Sequence, residues 1–213
     1  DVSGFRVDEM HGKISISKKE ARISNLFIND GFTKLNAEHF SFYYETAKDF
    51  ADFTNKIKME LNLNDTYFSF RTIGKITPSL KDNHLGVHLK GYAAGNLSSI
   101  STKDLIATSE SGFSSLTLNS RISGLPQAKM TTAFVDIKNC QTTTYDLFDI
   151  ISKINNQKQL SIAQKLSPGI TYYFEGGLAG LLTDFVASGK ITSSIGNMNV
   201  DLLLKSDRAN NGF

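Results

Sequence analysis

Apolar and polar residues alternate with a period of two along most of the chain. The stretch NKIKMELNLNDTYFSF sets Ile57, Met59, Leu61 and Leu63 against Lys58, Glu60, Asn62 and Asn64. Such alternation gives a strand one dry and one wet face. The pattern recurs in GKISIS with Ile14 and Ile16, and in HFSFYYE with Phe40, Phe42 and Tyr44. It returns over Leu85-Val87-Leu89, Leu116-Leu118, residues 131–138, residues 170–175 and Val200-Leu202-Leu204. Asn29-Asp30-Gly31 ends one run with a hairpin signal. Two stretches depart from this period. In TTYDLFDIISKI, Leu147, Ile150, Ile151 and Ile154 fall at i, i+3, i+4 and i+7 behind Asp146, which predicts an amphipathic helix over about residues 145–155. Phe50 and Phe53 in TAKDFADFTNKI predict a weaker helix over about residues 46–54. QLSIAQKLSPG adds a candidate helical turn ended by Pro168-Gly169. The chain therefore reads as mainly β, about a dozen meandering antiparallel strands with two or three short helices. Too few helices lie between strands for parallel βαβ units.

An internal repeat reinforces this reading. LKGYAAGNLSSISTKDLIATSESGFSSLTLN aligns with FEGGLAGLLTDFVASGKITSSIGNMNVDLLL, matching Gly91 to Gly176, Gly95 to Gly180 and Leu97 to Leu182. After a one-residue slip, Thr108-Ser109 meets Thr192-Ser193 and Gly112 meets Gly196, so that Leu116 and Leu118 fall on Val200 and Leu202. The units span about residues 85–119 and 170–204 of a single β-rich segment covering 1–213, an extendable architecture. The glycines do not form a phosphate loop. Asp184 stands five positions before Gly189, Ile191 follows Lys190, and strand rather than helix follows. Glycines at fixed points of a strand array instead permit bulges and close backbone approach.

Composition and charge remove several functions. With 213 residues, 40% hydrophobic and 21% charged, the chain can bury a core without disulfides or metal. A net charge of +2 without Lys/Arg runs excludes the usual nucleic-acid surface. Cys140, the 1 cysteine, cannot close an internal disulfide. No apolar run approaches the ~20 residues that span a bilayer as a helix. The polar start Asp1-Val2-Ser3-Gly4 carries no initiator Met or signal peptide, as expected of a mature segment or of a piece of a longer protein.

Candidate chemistry is sparse. His84 and His88 sit on a strand pattern where four residues span ~13 Å, too far to share one metal, and His11 and His39 have no partner at ligand spacing. Asp49 with Asp52, and Asp146 with Asp149, fall on the polar sides of amphipathic segments, where solvated surface is expected rather than acid/base catalysis. Cys140 and SESGFSS lack a nucleophile signature. No catalytic residue, metal site or cofactor is assigned. What remains is the apolar face itself. Periodicity cannot separate a closed sandwich core from an open groove for acyl chains, and taken alone it favours the closed core.

GGLAGLLTDFVASGKITSSIG resembles a recurrent unit of the TamB branch of the AsmA-like proteins, in versions typical of Bacteroidetes-type bacteria. Gly176, Leu178, Gly180, Asp184, Phe185, Gly189, Ile191, Thr192 and Gly196 carry the match. FSFRTIGKITPSL, GLPQAKMTTAFVDIKNCQTTTYDLFDII and SISKKEARISNLFINDGFTKLNAEHFSFYYE resemble further units in the family's order, so the resemblance covers most of the chain. It implies a long, curled antiparallel sheet (a β-taco) with a hydrophobic interior. It also implies a periplasmic protein anchored in the inner membrane, a role in phospholipid transport toward the outer membrane, and an outer-membrane barrel protein as partner through parts outside this stretch. The groove reading then makes Ile14, Ile16, Phe40, Phe42, Ile57, Met59, Leu61, Leu63, Leu116, Leu118, Val200, Leu202 and Leu204 the lining for phospholipid acyl chains. The alternative is a closed β-sandwich binding module of surface-glycan or adhesion type.

Overall fold

A computed structural model describes residues 6–74, 83–125, 130–154, 169–181 and 184–205. Eleven strands form one sheet in simple sequence order, each antiparallel to the next. They are β1 (Glu9–Ile16), β2 (Glu20–Asn29), β3 (Lys34–Tyr43), β4 (Lys58–Ser69), β5 (Gly86–Asn96) and β6 (Ser99–Ser109), followed by β7 (Ser115–Ser123), β8 (Thr132–Thr143), β9 (Thr171–Leu181), β10 (Asp184–Ser193) and β11 (Gly196–Lys205). The sheet does not close, and β1 and β11 are its edges. No second sheet packs on it among the described residues, which form one open sheet and not a closed sandwich. The helices are short: a 3₁₀ turn at Ala47–Asp52 running into α1 (Phe53–Lys56), then α2 (Phe70–Gly74) and α3 (Thr144–Ile154). The candidate turn before Pro168 lies outside the described residues.

Local chemistry sets the turns and the register. In the β2–β3 turn, Asp30 Oδ1 accepts hydrogen bonds from the Phe32 and Thr33 amides at 2.9 and 2.6 Å. The β5–β6 turn repeats the device, with Asn96 Oδ1 accepting from the Ser98 and Ser99 amides. Asn25, Asp65 and Asp104 adopt left-handed conformations, with φ of 50°, 47° and 48°. Each falls where the pairing register shifts. Short polar side chains tolerate that conformation, and the bulge inserts one residue without turning the following side chains to the wrong face.

The repeat has a structural counterpart. In β5, a Cβ on Gly95 would lie 2.0 Å from the Ser99 carbonyl oxygen; in β9, one on Gly180 would lie 2.5 Å from that of Asp184. The one-residue slip coincides with the Asp104 bulge in β6. The end of the alignment needs correction. Leu116 pairs with Ala107 and Met198 with Ile191, so Leu116 is equivalent to Met198 and Leu118 to Val200. The β10–β11 turn is two residues shorter than its counterpart, and this moves the match by one step of the ladder.

The helices pack against the two ends of the strands. At the end where β3 passes into β4, Phe53 of α1 lies 6.1 Å from Phe42, and Phe50 lies 5.1 Å from Tyr44. At the other end α2 folds back over the β2–β3 turn. Thr72 Oγ1 donates to Asp30 Oδ2 at 2.9 Å, and the Arg71 guanidinium covers the Phe32 ring at 4.3 Å. α3 does the same over the β6–β7 turn. Ser109 and Ser111 donate to the Asp146 carboxylate at 2.7 and 2.6 Å, and Lys153 meets Glu110 at 3.1 Å. Asp146 is therefore buried rather than solvated, which corrects the sequence expectation. Asp49 also works locally, accepting from the Glu45 and Thr46 amides at the start of the 3₁₀ turn.

Candidate functional site

The register assembles one apolar face across the whole sheet. One lane runs Ile14–Ile23–Phe40–Leu61–Ala93–Thr102 over β1 to β6. It continues Ser120–Val135–Leu178–Ala187–Leu202 over β7 to β11. A parallel lane runs Ile16–Ala21–Phe42–Met59–Gly95–Ile100 and continues Ile122–Ala133–Gly180–Phe185–Leu204. Further along the strands, Leu26–Ala37–Leu63–Gly91 and Leu105–Leu118–Ile137–Gly176–Gly189–Val200 form a third lane. Leu116 and Cys140 belong to a fourth, which ends at Met198.

Twelve of the thirteen residues singled out in the sequence thus hold positions in these lanes. The exception is Ile57. It precedes β4, is fully buried, and donates its amide to the Phe53 carbonyl, closing α1 instead of lining the sheet. Sequence reading missed Ile23, Leu26, Ile100, Ile122, Val135, Ile137 and Leu178. In β2 the bulge at Asn25 breaks the alternation, and in β6 and β7 Ser and Thr share the face with Ile and Leu. Of these, Leu26 is recovered by shifting the register one residue at the left-handed Asn25.

The lanes are apolar except at Thr102 and Ser120. Their hydroxyls hydrogen-bond to each other at 2.9 Å, so neither is left without a partner on the apolar face. Ser99 and Ser123 pair in the same way, also at 2.9 Å. A cavity of about 120 Å³ opens on this face between Phe40, Met59, Leu61, Ala93, Gly95 and Ile100, with no charged group in its lining. Only Leu26, Ala37, Ile57, Leu63, Leu85 and Ala133 are buried apolar residues among those described. Most of the apolar face is half-buried, which is what a layer without a covering partner presents.

No family model, curated protein or solved structure matches this chain.

Charge collects on the opposite face and at the strand ends. Lys138 pairs with Asp104 at 2.9 Å, and His88 Nδ1 meets Asp65 at 3.0 Å. Tyr67 donates to Glu110 Oε1 at 2.6 Å, and Lys153 bridges Glu110 and Asp149. The Glu110 hydrogen bond, with burial, pushes the Tyr67 phenol above its ordinary value; the Tyr67 hydroxyl in turn holds the Glu110 carboxyl low. These contacts tie β4, the β6–β7 turn and α3 together. Cys140 lies in the apolar lanes, and burial pushes its thiol up, away from the reactive thiolate. His84 lies outside β5 and His88 within it, and the described residues hold no group of three metal-ligating side chains. No helix among them is long and apolar enough to cross a membrane.

Proposed function

We propose that the apolar face holds lipid acyl chains, making this chain a non-enzymatic section of a hydrophobic groove for phospholipid transport. The observation that carries the reading is the set of apolar lanes, two of them running over all eleven strands and interrupted only by the Thr102–Ser120 hydroxyl pair, with no covering layer among the described residues. A bare apolar surface of this extent marks a binding surface, since soluble proteins rarely leave one exposed. Acyl chains suit it. Each buried CH₂ contributes about 0.8 kcal/mol, so binding needs no directional contacts and tolerates movement along the lane. The resemblance to the TamB branch extends the proposal. The groove would lie in the periplasm of a protein anchored in the inner membrane, carry phospholipid between the two membranes, and meet an outer-membrane barrel protein through other parts.

The test is native mass spectrometry with lipid extraction, on protein purified from bacteria without detergent. Near-stoichiometric phospholipid is expected on the wild type and its loss in Leu61→Glu and Leu202→Glu. Leu202 is 50% exposed, so a charge there leaves the sheet folded and isolates the effect on lipid. A lipid-free wild type, or variants that keep full lipid, overturns the reading.

A further inference from the structure

The face opposite the lanes carries a second concavity, of about 630 Å³, over β6 to β10. Its key is Gly177. On either side, Gly176 and Gly180 are dictated by crowding, since a Cβ there would come within 2.3 Å of the Ser188 oxygen and 2.5 Å of the Asp184 oxygen. At Gly177 the nearest atom would be the Val135 oxygen at 3.4 Å, an ordinary contact, and its backbone is not left-handed. Neither space nor conformation requires glycine here, and glycine weakens a strand interior. The missing side chain instead leaves the floor of the concavity open.

The walls are placed by register. Asp136 and Ser188 stand directly opposite Gly177 on β8 and β10. One ladder step along, Phe134 and Val186 flank Ala179, and Arg121 stands opposite Phe134. Phe134 is 57% exposed and Val186 48% exposed, an apolar strip that Leu203 extends onto β11. β8 and β10 are two strand spacings apart, roughly 9.6 Å, wide enough for one flat ring above Gly177. Lys138, the next cation along β8, pairs with Asp104 and not with Asp136. The site therefore presents an aromatic wall, one carboxylate, one guanidinium and the Ser188 hydroxyl, with Ser101 and Asn119 at its β6–β7 end. A group bearing a formal charge would meet a like charge at Asp136 or Arg121. An uncharged polyol meets donors and acceptors in both, and its C–H face suits the phenyl ring.

We propose that this concavity binds one ring of a neutral saccharide, with Phe134 as the stacking wall and Asp136, Arg121 and Ser188 taking hydroxyls. The site is separate from the acyl-chain face. The test is saturation-transfer NMR on the whole chain with cellobiose, maltose and N,N′-diacetylchitobiose as probes. Saturation is expected at the ring C–H protons of at least one of them. Phe134→Ala and Gly177→Leu should each weaken binding by about tenfold or more. A Cβ at Gly177 meets only an ordinary contact, so the circular dichroism and melting temperature of Gly177→Leu should be retained, which separates lost binding from lost fold. Absence of transfer to all three sugars, or full transfer in a folded Gly177→Leu, overturns the proposal.

Discussion

Gly95 and Gly180 occupy equivalent points in β5 and β9, and both have a φ of 141°, where a side chain is strained whatever the space around it. Their neighbours in the lanes, by contrast, are replaceable bulk. We expect Gly95→Ala and Gly180→Ala each to destabilise the sheet by about 1–3 kcal/mol through backbone strain alone, with more from the carbonyl contact. Urea midpoints would measure it, and an unchanged midpoint in both would show that the backbone relaxes freely there. The spacing of these glycines was legible in the sequence as a repeat, but its cause was not. A close carbonyl on the next strand leaves no trace in the glycine's own neighbourhood. Ile57 shows the converse. Its alternation with Met59 and Leu61 reads as strand, yet the chain is still leaving α1 there, and period alone cannot mark where a helix cap gives way to a ladder.

At the scale of elements, the helices that return to an earlier turn use the same chemistry with its roles exchanged. In α2 the helix supplies the hydroxyl of Thr72 and the turn supplies Asp30; in α3 the helix supplies Asp146 and the turn supplies Ser109 and Ser111. Burial works against the Asp146 charge, but hydrogen bonds from Ser111 and Ser109, with Lys153 nearby, outweigh it and hold the carboxyl below its ordinary value. The Glu110 carboxyl is lowered as well, first by Tyr67. A carboxyl depressed in the folded state stabilises above its unfolded pKa, near 4, and loses that contribution as pH falls through the folded value. We therefore expect the docking of α3 to be constant at neutral pH and to weaken in acid before the sheet unfolds. Hydrogen exchange of α3 amides against pH would read this. Asp146→Asn should show fast exchange in α3 already at pH 7 and a flatter acid dependence; an unaltered profile would mean the latch does not hold the helix. The sequence announced α3 through its apolar spacing. It did not announce α2, because five residues following a strand pattern are too few to establish a helical period.

At the scale of the molecule, the meander was legible because the connections are mostly short and successive runs alternate, whereas the absence of a second layer among the described residues was not. A leucine pointing into an open face and one pointing into a closed core give the same pattern. Openness leaves two edges, and they differ. β1 is eight residues long, loses register between His11 and Lys13, and carries Glu9, His11 and Lys13. Such interruptions discourage a further strand from adding. β11 pairs with β10 over ten residues without a bulge, and its Leu202 and Leu203 are 50% and 63% exposed, one on each face. An edge that is long and regular, apolar along one face and carrying Leu203 on the other, offers backbone groups and side chains together. We expect the purified chain to self-associate with rising concentration through β11. Sedimentation velocity should show Leu203→Lys shifted toward monomer and Ile16→Lys unchanged. Both residues are exposed, so a lysine at either place costs the fold little, and the comparison isolates the edge. The opposite ranking would place the contact at β1 and would mean that charge and bulging there fail to protect it. If both variants associate like the wild type, the copies meet through their apolar faces instead. In that case Leu61→Glu should disperse them, and acyl chains would compete with association for the same surface.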